Sequence, residues 1–374
     1  MSARYAPMAP RKHFGMTATD ARLWTLDAPV SMLDALRRIR QDLAAEDLDQ
    51  DQLTFWTLIN PDPDRQPSAA LVRAATGVAV EQREVGSTSI LRIDTGTDEP
   101  FVLSLWPQVN GIVQMVATVP ASDGRWQRVE RWVARSSRAL VPCYLNEDDF
   151  LGVGESLGTI GAVEVSKLTW RDGLQSHAVG YRANRPSLAE AVFRDVPNSG
   201  QVRTALLRAG DLSIHLRRNA GATFYTGELG QFAEIVLSQL EAAAARRMSL
   251  LEHRERVVGK IRRPLSVRLP GPLLRSPEDT GEVIRLLADE HRLAVAVVHR
   301  NPYLHLSVTD YGDGSNFDVF VTAPDEISVH PGFRSSVGAL NFVLQCLTEG
   351  MQGSSVGERV DDAGPSKQDL LIAR

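Results

Sequence analysis

Arg246, Arg247, Arg254, Arg256, Lys260, Arg262 and Arg263 crowd one stretch of the chain, with Arg268 and Arg275 just beyond and only Glu252 and Glu255 among them. Nine bases against two acids give this stretch a charge of about +7 in a chain whose net charge is −5. Such a strip can grip phosphates, with an affinity that falls steeply as salt rises. It can equally meet an acidic surface, such as the Asp42–Asp51 stretch of a second copy. No aromatic residue interleaves it to stack bases, and arginines at a helix C-terminus also answer the helix dipole. The first seven of these residues form the candidate site for nucleic acid or an acidic partner.

Other residues invite catalytic or metal chemistry. Glu164 and Lys167, with Asp148 and Asp149 upstream, echo the centre of metal-dependent nucleases, where carboxylates hold Mg²⁺ and a lysine polarises the attacking water. That chemistry uses Glu-x-Lys on one strand face. Glu-x-x-Lys in a regular strand sets the two on opposite faces. Asp310, Asp313, Asn316 and Asp318 surround Tyr311-Gly312-Asp313-Gly314. Close oxygens and glycines open calcium loops, but no bidentate glutamate follows in register, and an Asp-Gly hairpin turn accounts for the same residues. His299 and His305 face each other across the Arg300–Pro302 turn, and His330 lies further on, with no third ligand in zinc or catalytic spacing. Gly152, Gly154, Gly158 and Gly161 lead into the strand pattern Val163-Glu164-Val165, with no helix and no Gly-Lys-Ser/Thr after them. That order fits a linker or hairpin rather than a phosphate loop. No nucleophile elbow and no H-E-x-x-H is present. No catalytic residue, metal or cofactor is expected from these patterns.

Composition narrows the class. At 374 residues, 43% hydrophobic and 23% charged, the chain has the material for cores in two or three domains. A negative net charge confines any polyanion site to a local patch. Cys143 and Cys346 lie far apart in apolar surroundings and read as two buried thiols. The N-terminus lacks the apolar core of a secretory signal, and the longest apolar run, Leu293–Val298, is too short to span a bilayer. A cytoplasmic location and no membrane insertion follow as expectations.

The elements that must hold these residues follow a rhythm. The periodicity predicts a helix from Ser31, a strand at Phe55–Ile59, a turn over Asn60–Pro67, a meander over Val78–Val119 and a helix bearing Trp126, Val129, Trp132 and Val133. It then predicts a hairpin around Arg171-Asp172-Gly173, a short helix after Ser187 and a long one over Glu228–Glu252. The clearest unit comes last: a helix from Pro277 to Asp289, strands at Leu293–His299, Tyr303–Thr309 and Asn316–Thr322, and a helix over Arg334–Gly350. Helix, strands and helix thus recur about three times. Units of this kind are topologically similar to type III secretion chaperone-like domains, a resemblance of element order that implies no particular residue or activity.

The expected fold is α+β, antiparallel β-meanders flanked by helices in two or three small domains, as diverged repeats. The boundaries fall as a flexible arm (1–20), a helix-meander-helix domain (21–150), a second α+β domain ending in a long helix (151–262), a third (263–352) and a disordered tail (353–374) ending in the apolar Leu370-Leu371-Ile372. The expected function is a non-enzymatic cytoplasmic binding or adaptor protein within a larger complex, with a protein partner. The alternatives are a nucleic-acid binder using 246–275, and a metal-dependent hydrolase or nuclease assembled from scattered residues. A homo-oligomer is compatible with each.

Overall fold

Local capping and apolar spacing set the helices, and the sheets then pair segments far apart in sequence. The structure, a computed structural model, describes residues 16–358 apart from 63, 97, 137–138, 173–174, 198–199, 252–263, 333–334 and 352. Most of the expected arm, the expected tail beyond 358 and Arg254, Arg256, Lys260, Arg262 and Arg263 lie outside the described residues.

Helices α1 (Ala18–Trp24) and α2 (Met32–Ala45) start at Thr17 and Ser31, whose hydroxyls accept from the backbone N–H groups of Asp20 and Asp34. Strand β1 (Leu53–Ile59) is buried at every position. Pro67 opens α3 (Pro67–Ala74), its missing N–H harmless in the first turn. The meander follows as β2 (Ala79–Val85), β3 (Thr88–Asp94), β4 (Phe101–Pro107) and β5 (Ile112–Ala117), closed by α4 (Gly124–Arg135). A two-residue strand, β6 (Val141–Pro142), adds to β1.

Next comes α5 (Glu147–Leu157), and here the expected linker or hairpin over the glycine series is corrected: Gly152 and Gly154 are helical and Gly158 is the C-cap. Asn146 and Asp149 form a reciprocal capping box, and Phe150, Val153 and Leu157 make a buried stripe. These signals outweigh a cost of about 1 kcal/mol for each interior glycine. The expected boundary at 150/151 falls inside this helix.

Hairpin β7 (Val163–Asp172) and β8 (Gln175–Gly180) leads to α6 (Leu188–Asp195), which carries the Ser187/Glu190 capping box. After β9 (Gly200–Ala209), β10 (Leu212–Arg217) and β11 (Gly221–Thr226), α7 (Leu229–Phe232) passes through a π turn (Ala233–Leu237) into α8 (Ser238–Leu251). The last part holds β12 (Leu265–Arg268), α9 (Pro277–Ala288), β13 (Leu293–His299), β14 (Leu304–Asp310), β15 (Asn316–Ala323), β16 (Glu326–Pro331), α10 (Val337–Gly350) and β17 (Ser355–Glu358).

The fold is α+β, with two antiparallel sheets. The larger, of eleven strands, runs β2-β3-β4-β5-β1-β11-β10-β9-β7-β8 with β6 on β1; the smaller, of six, runs β13-β14-β15-β16-β12-β17. One connectivity occurs twice. A strand, a helix, a four-stranded meander whose last strand returns beside the first, and a closing helix describe both β1 to α4 and β12 to α10. The middle part differs: α6 interrupts it after a hairpin, and β9 returns beside β7. Recurrence in connectivity is therefore twofold rather than threefold. The first two segments share the large sheet through the β1–β11 pairing.

Three cores match this layout. On one face of the large sheet, Trp56, Leu103 and Met115 pack with Trp126 and Val133 of α4. On the other, Phe55 and Val116 join Phe224, Phe232 and the helices α2, α5 and α6. Leu306, Val319 and Val329 of the small sheet pack with Val283, Leu340 and Leu344 from α9 and α10. Cys143 and Cys346 are both buried free thiols, and burial pushes the Cys143 thiol up to about 12. No helix among the described residues is long and apolar enough to cross a membrane.

Candidate functional site: the free edge of the second sheet

Strand β13 lies at the end of the small sheet and pairs only with β14 among the described residues. Its outer side therefore offers unpaired backbone N–H and C=O groups to another strand. Its sequence, Leu-Ala-Val-Ala-Val-Val-His, contains no acid, lysine, arginine or proline. Val297 and Val298 are 48% and 57% exposed.

The recurring connectivity supplies an internal comparison. Strand β2 occupies the same place in the first meander, and it carries Glu81, Arg83 and Glu84. Charged side chains are how edge strands are normally kept from pairing with other chains. At the other edges, β17 is four residues long and ends in Glu358, and β8 has only Ala178 and Val179 as apolar residues, the latter packed on the core. Only β13 among these edges is long and apolar.

Two features adjoin it. On the sheet face opposite α9 and α10, pairing places His299 beside His305, and His305 beside Phe320. The His305 ring stacks on Phe320 at 4.2 Å, His330 meets the other side of Phe320 edge-on at 5.0 Å, and His305 Nε2 lies 2.9 Å from Asp318 Oδ1. His299 packs on Tyr303 at 4.7 Å. The second feature is a cleft of about 450 Å³ at the β13–β14 turn, lined by Arg275, Ser276, Arg300, Tyr303, Leu304 and Val321 among others. Arg300 Nη2 donates to Pro277 O at 3.4 Å and Arg275 Nε to Pro272 O at 2.8 Å. Neither arginine has an ion-pair partner among the described residues, so the cleft is a cationic mouth at one end of an apolar strand.

The residues singled out from the sequence divide as follows. Arg246 pairs with Asp149. Arg247 is buried, its guanidinium 4.1 Å from the Tyr144 ring centroid. Glu164 and Lys167 require a correction. A β-bulge lies between Val165 and Lys167, so Glu164 opposes Arg208 and Lys167 opposes Leu206 on one face, not on opposite faces. They still do not gather a metal site: Glu164 pairs with Arg185 at 3.2 Å, while Asp149 caps α5.

The Asp310 group is a hairpin turn. Buried Asp310 is held by Arg292 at 2.6 Å and accepts from Gly312 N at 2.7 Å, while Asp313 accepts from Ser315 N at 2.9 Å. Asp318 stands apart from that turn and belongs with His305. The facing of His299 and His305 was legible in the sequence. Phe320 between the histidines was not, because its place depends on strand register; its alternation with Phe317, Val319 and Val321 was the available signal.

Fold and site together define an α+β protein with, among the described residues, one long apolar sheet edge beside a cationic cleft. No family model and no curated protein matches the chain.

Proposed function

We propose that this chain is a non-enzymatic binding protein, an adaptor, that captures an extended segment of a partner protein along β13. The observation that carries the proposal is the uncharged, exposed β13 edge, set against the charged β2 at the equivalent place. Strand addition of this kind draws affinity from main-chain hydrogen bonds and selectivity from pockets that read alternate side chains. The captured segment has β-branched or aromatic residues at alternate positions and a carboxylate that reaches Arg275 and Arg300 in the cleft. A second copy is the less favourable occupant. The β13 of a second copy contains no acid and so brings no carboxylate of its own to Arg275 and Arg300. Two of the seven candidate polyanion residues, Arg246 and Arg247, are engaged within the chain, which favours the adaptor reading over nucleic acid. A cytoplasmic setting is part of the proposal and accords with two free buried thiols.

The test is selection from a displayed library of decapeptides against the full chain. Selected peptides are expected to alternate apolar residues, to carry an acid at one end, and to slow amide exchange along β13. Val298→Lys, at an exposed bulge position, should abolish binding while leaving the thermal transition within about 1 °C, as surface changes usually do. Selected peptides that leave β13 exchange unaltered, or that bind Val298→Lys equally well, would overturn the proposal.

A further inference from the structure

Helix α4 carries arginines at 125, 128, 131 and 135. Arg125 is tied to Asp123 at 2.9 Å and Arg128 to Asp98 at 3.3 Å. Arg131 and Arg135 are exposed and have no ion-pair partner among the described residues; Arg131 Nε donates only to Gln127 O, at 3.3 Å. Arg128, Arg131 and Arg135 stand three and four residues apart on one side of the helix, a spacing at which like charges repel. All three line one cleft of about 270 Å³, whose remaining walls are Trp132, Thr76 and Val78. The dipole of α4 accounts for one cation in its last turn, Arg135. With Arg128 paired to Asp98, it leaves Arg131, a second unpaired cation at the same hollow, without an account. Glu130, the acid within this run, is turned away, accepting from Trp126 Nε1 at 3.0 Å.

We infer that the cleft between α4 and the segment after α3 binds a phosphomonoester dianion. Guanidinium groups match phosphate oxygens with paired, charge-assisted hydrogen bonds. A cleft of this size holds one phosphate group with a few attached atoms, not a polynucleotide, and the chain's net negative charge disfavours a long polyanion. The group can come from a small phosphate ester or from a phosphorylated side chain. This site lies on the first meander and is independent of the β13 edge.

The test uses the full chain, with inorganic phosphate, O-phosphoserine and a phosphoserine decapeptide titrated by calorimetry at fixed ionic strength, and chloride as the control. Phosphate and O-phosphoserine are expected to bind and to raise the melting temperature where chloride does not. The Arg131→Gln/Arg135→Gln variant should bind about a hundredfold more weakly, roughly tenfold for each guanidinium removed from the phosphate. Without ligand it should melt at the same temperature as the parent or higher, because it relieves repulsion; a purely structural role predicts a lower one. A decapeptide at least tenfold tighter than O-phosphoserine identifies a phosphorylated protein as the source, and equal affinities identify a free ester. No binding beyond that of chloride, equal binding by the variant, or binding of polynucleotide alone would each overturn the inference.

Discussion

Asp20 is 1% exposed beneath Thr118, whose hydroxyl donates to its Oδ1 at 2.8 Å. Burial pushes this carboxyl up to about 7, and Asp51 adds to the rise, against the opposing hydrogen bonds from Thr118 and Val102 N–H. The folded state therefore keeps a proton that the unfolded chain releases near pH 4. Stability from this group is complete below about pH 4 and is lost as pH rises through 7, a change on the order of 4 kcal/mol. Asp20→Asn keeps the acceptor for Thr118 and cannot ionise. Melting curves from pH 5 to 8 should show the variant's advantage over the parent growing steadily between pH 5 and 7 and levelling off above pH 7. A constant difference across that range would mean that Asp20 is charged in both states. Neither the burial of Asp20 nor its partner was legible beforehand, since Thr118 lies 98 residues away.

Two glycines in α5 make an element-scale comparison. A Cβ on Gly152 would meet nothing within 4 Å, whereas one on Gly154 would come within 2.8 Å of Leu188 Cδ2 on α6. Gly152→Ala should stabilise by about 0.5–1 kcal/mol through helix propensity. Gly154→Ala must move a buried leucine and should destabilise by about 1–3 kcal/mol. Urea midpoints of the two variants, shifting in opposite directions, check the packing of α5 on α6.

Helix starts at Ser31, Ser187 and Ser276 were legible because a cap is a local device, a side chain bonded to an N–H three residues on. The bulge at Ser166 and the edge position of β13 were not. Nothing within Leu293–Val298 distinguishes a central strand from an edge strand; the difference is made by which neighbours arrive. The cationic cleft was hidden for the same reason, since Arg275 and Arg300 come from either side of α9.

At the scale of the molecule, the small sheet draws on residues 264–358 and has its own core. It meets the rest through one apolar contact, Leu251 of α8 buried in that core, and through polar ones: Arg203 with Glu349 at 2.9 Å, Gln201 Nε2 donating to Thr348 O at 2.9 Å, and Asn341 Nδ2 donating to Pro142 O at 2.9 Å. A fragment of 264–358 is expected to unfold cooperatively by itself, since its helices and strands supply both sides of the core. Ending the fragment at 352 removes β17, which pairs with β12 along Leu265–Arg268. The shorter fragment should self-associate, seen as a concentration-dependent sedimentation profile, because β12 becomes a bare edge. A 264–358 fragment without a thermal transition would show that the small sheet depends on the large one.

The seam between β1 and β11 also sets a schedule for synthesis. Thr54 and Thr223, facing across that seam, lie 169 residues apart. A ribosome adds about 5–20 residues per second, so roughly ten to thirty seconds separate the emergence of the two strands. Through that interval the nascent first meander can be complete while β1 waits with one flank open. A strand that waits this long is where a ribosome-bound chaperone would find its hold, and where neighbouring nascent chains on one message would most readily exchange partners.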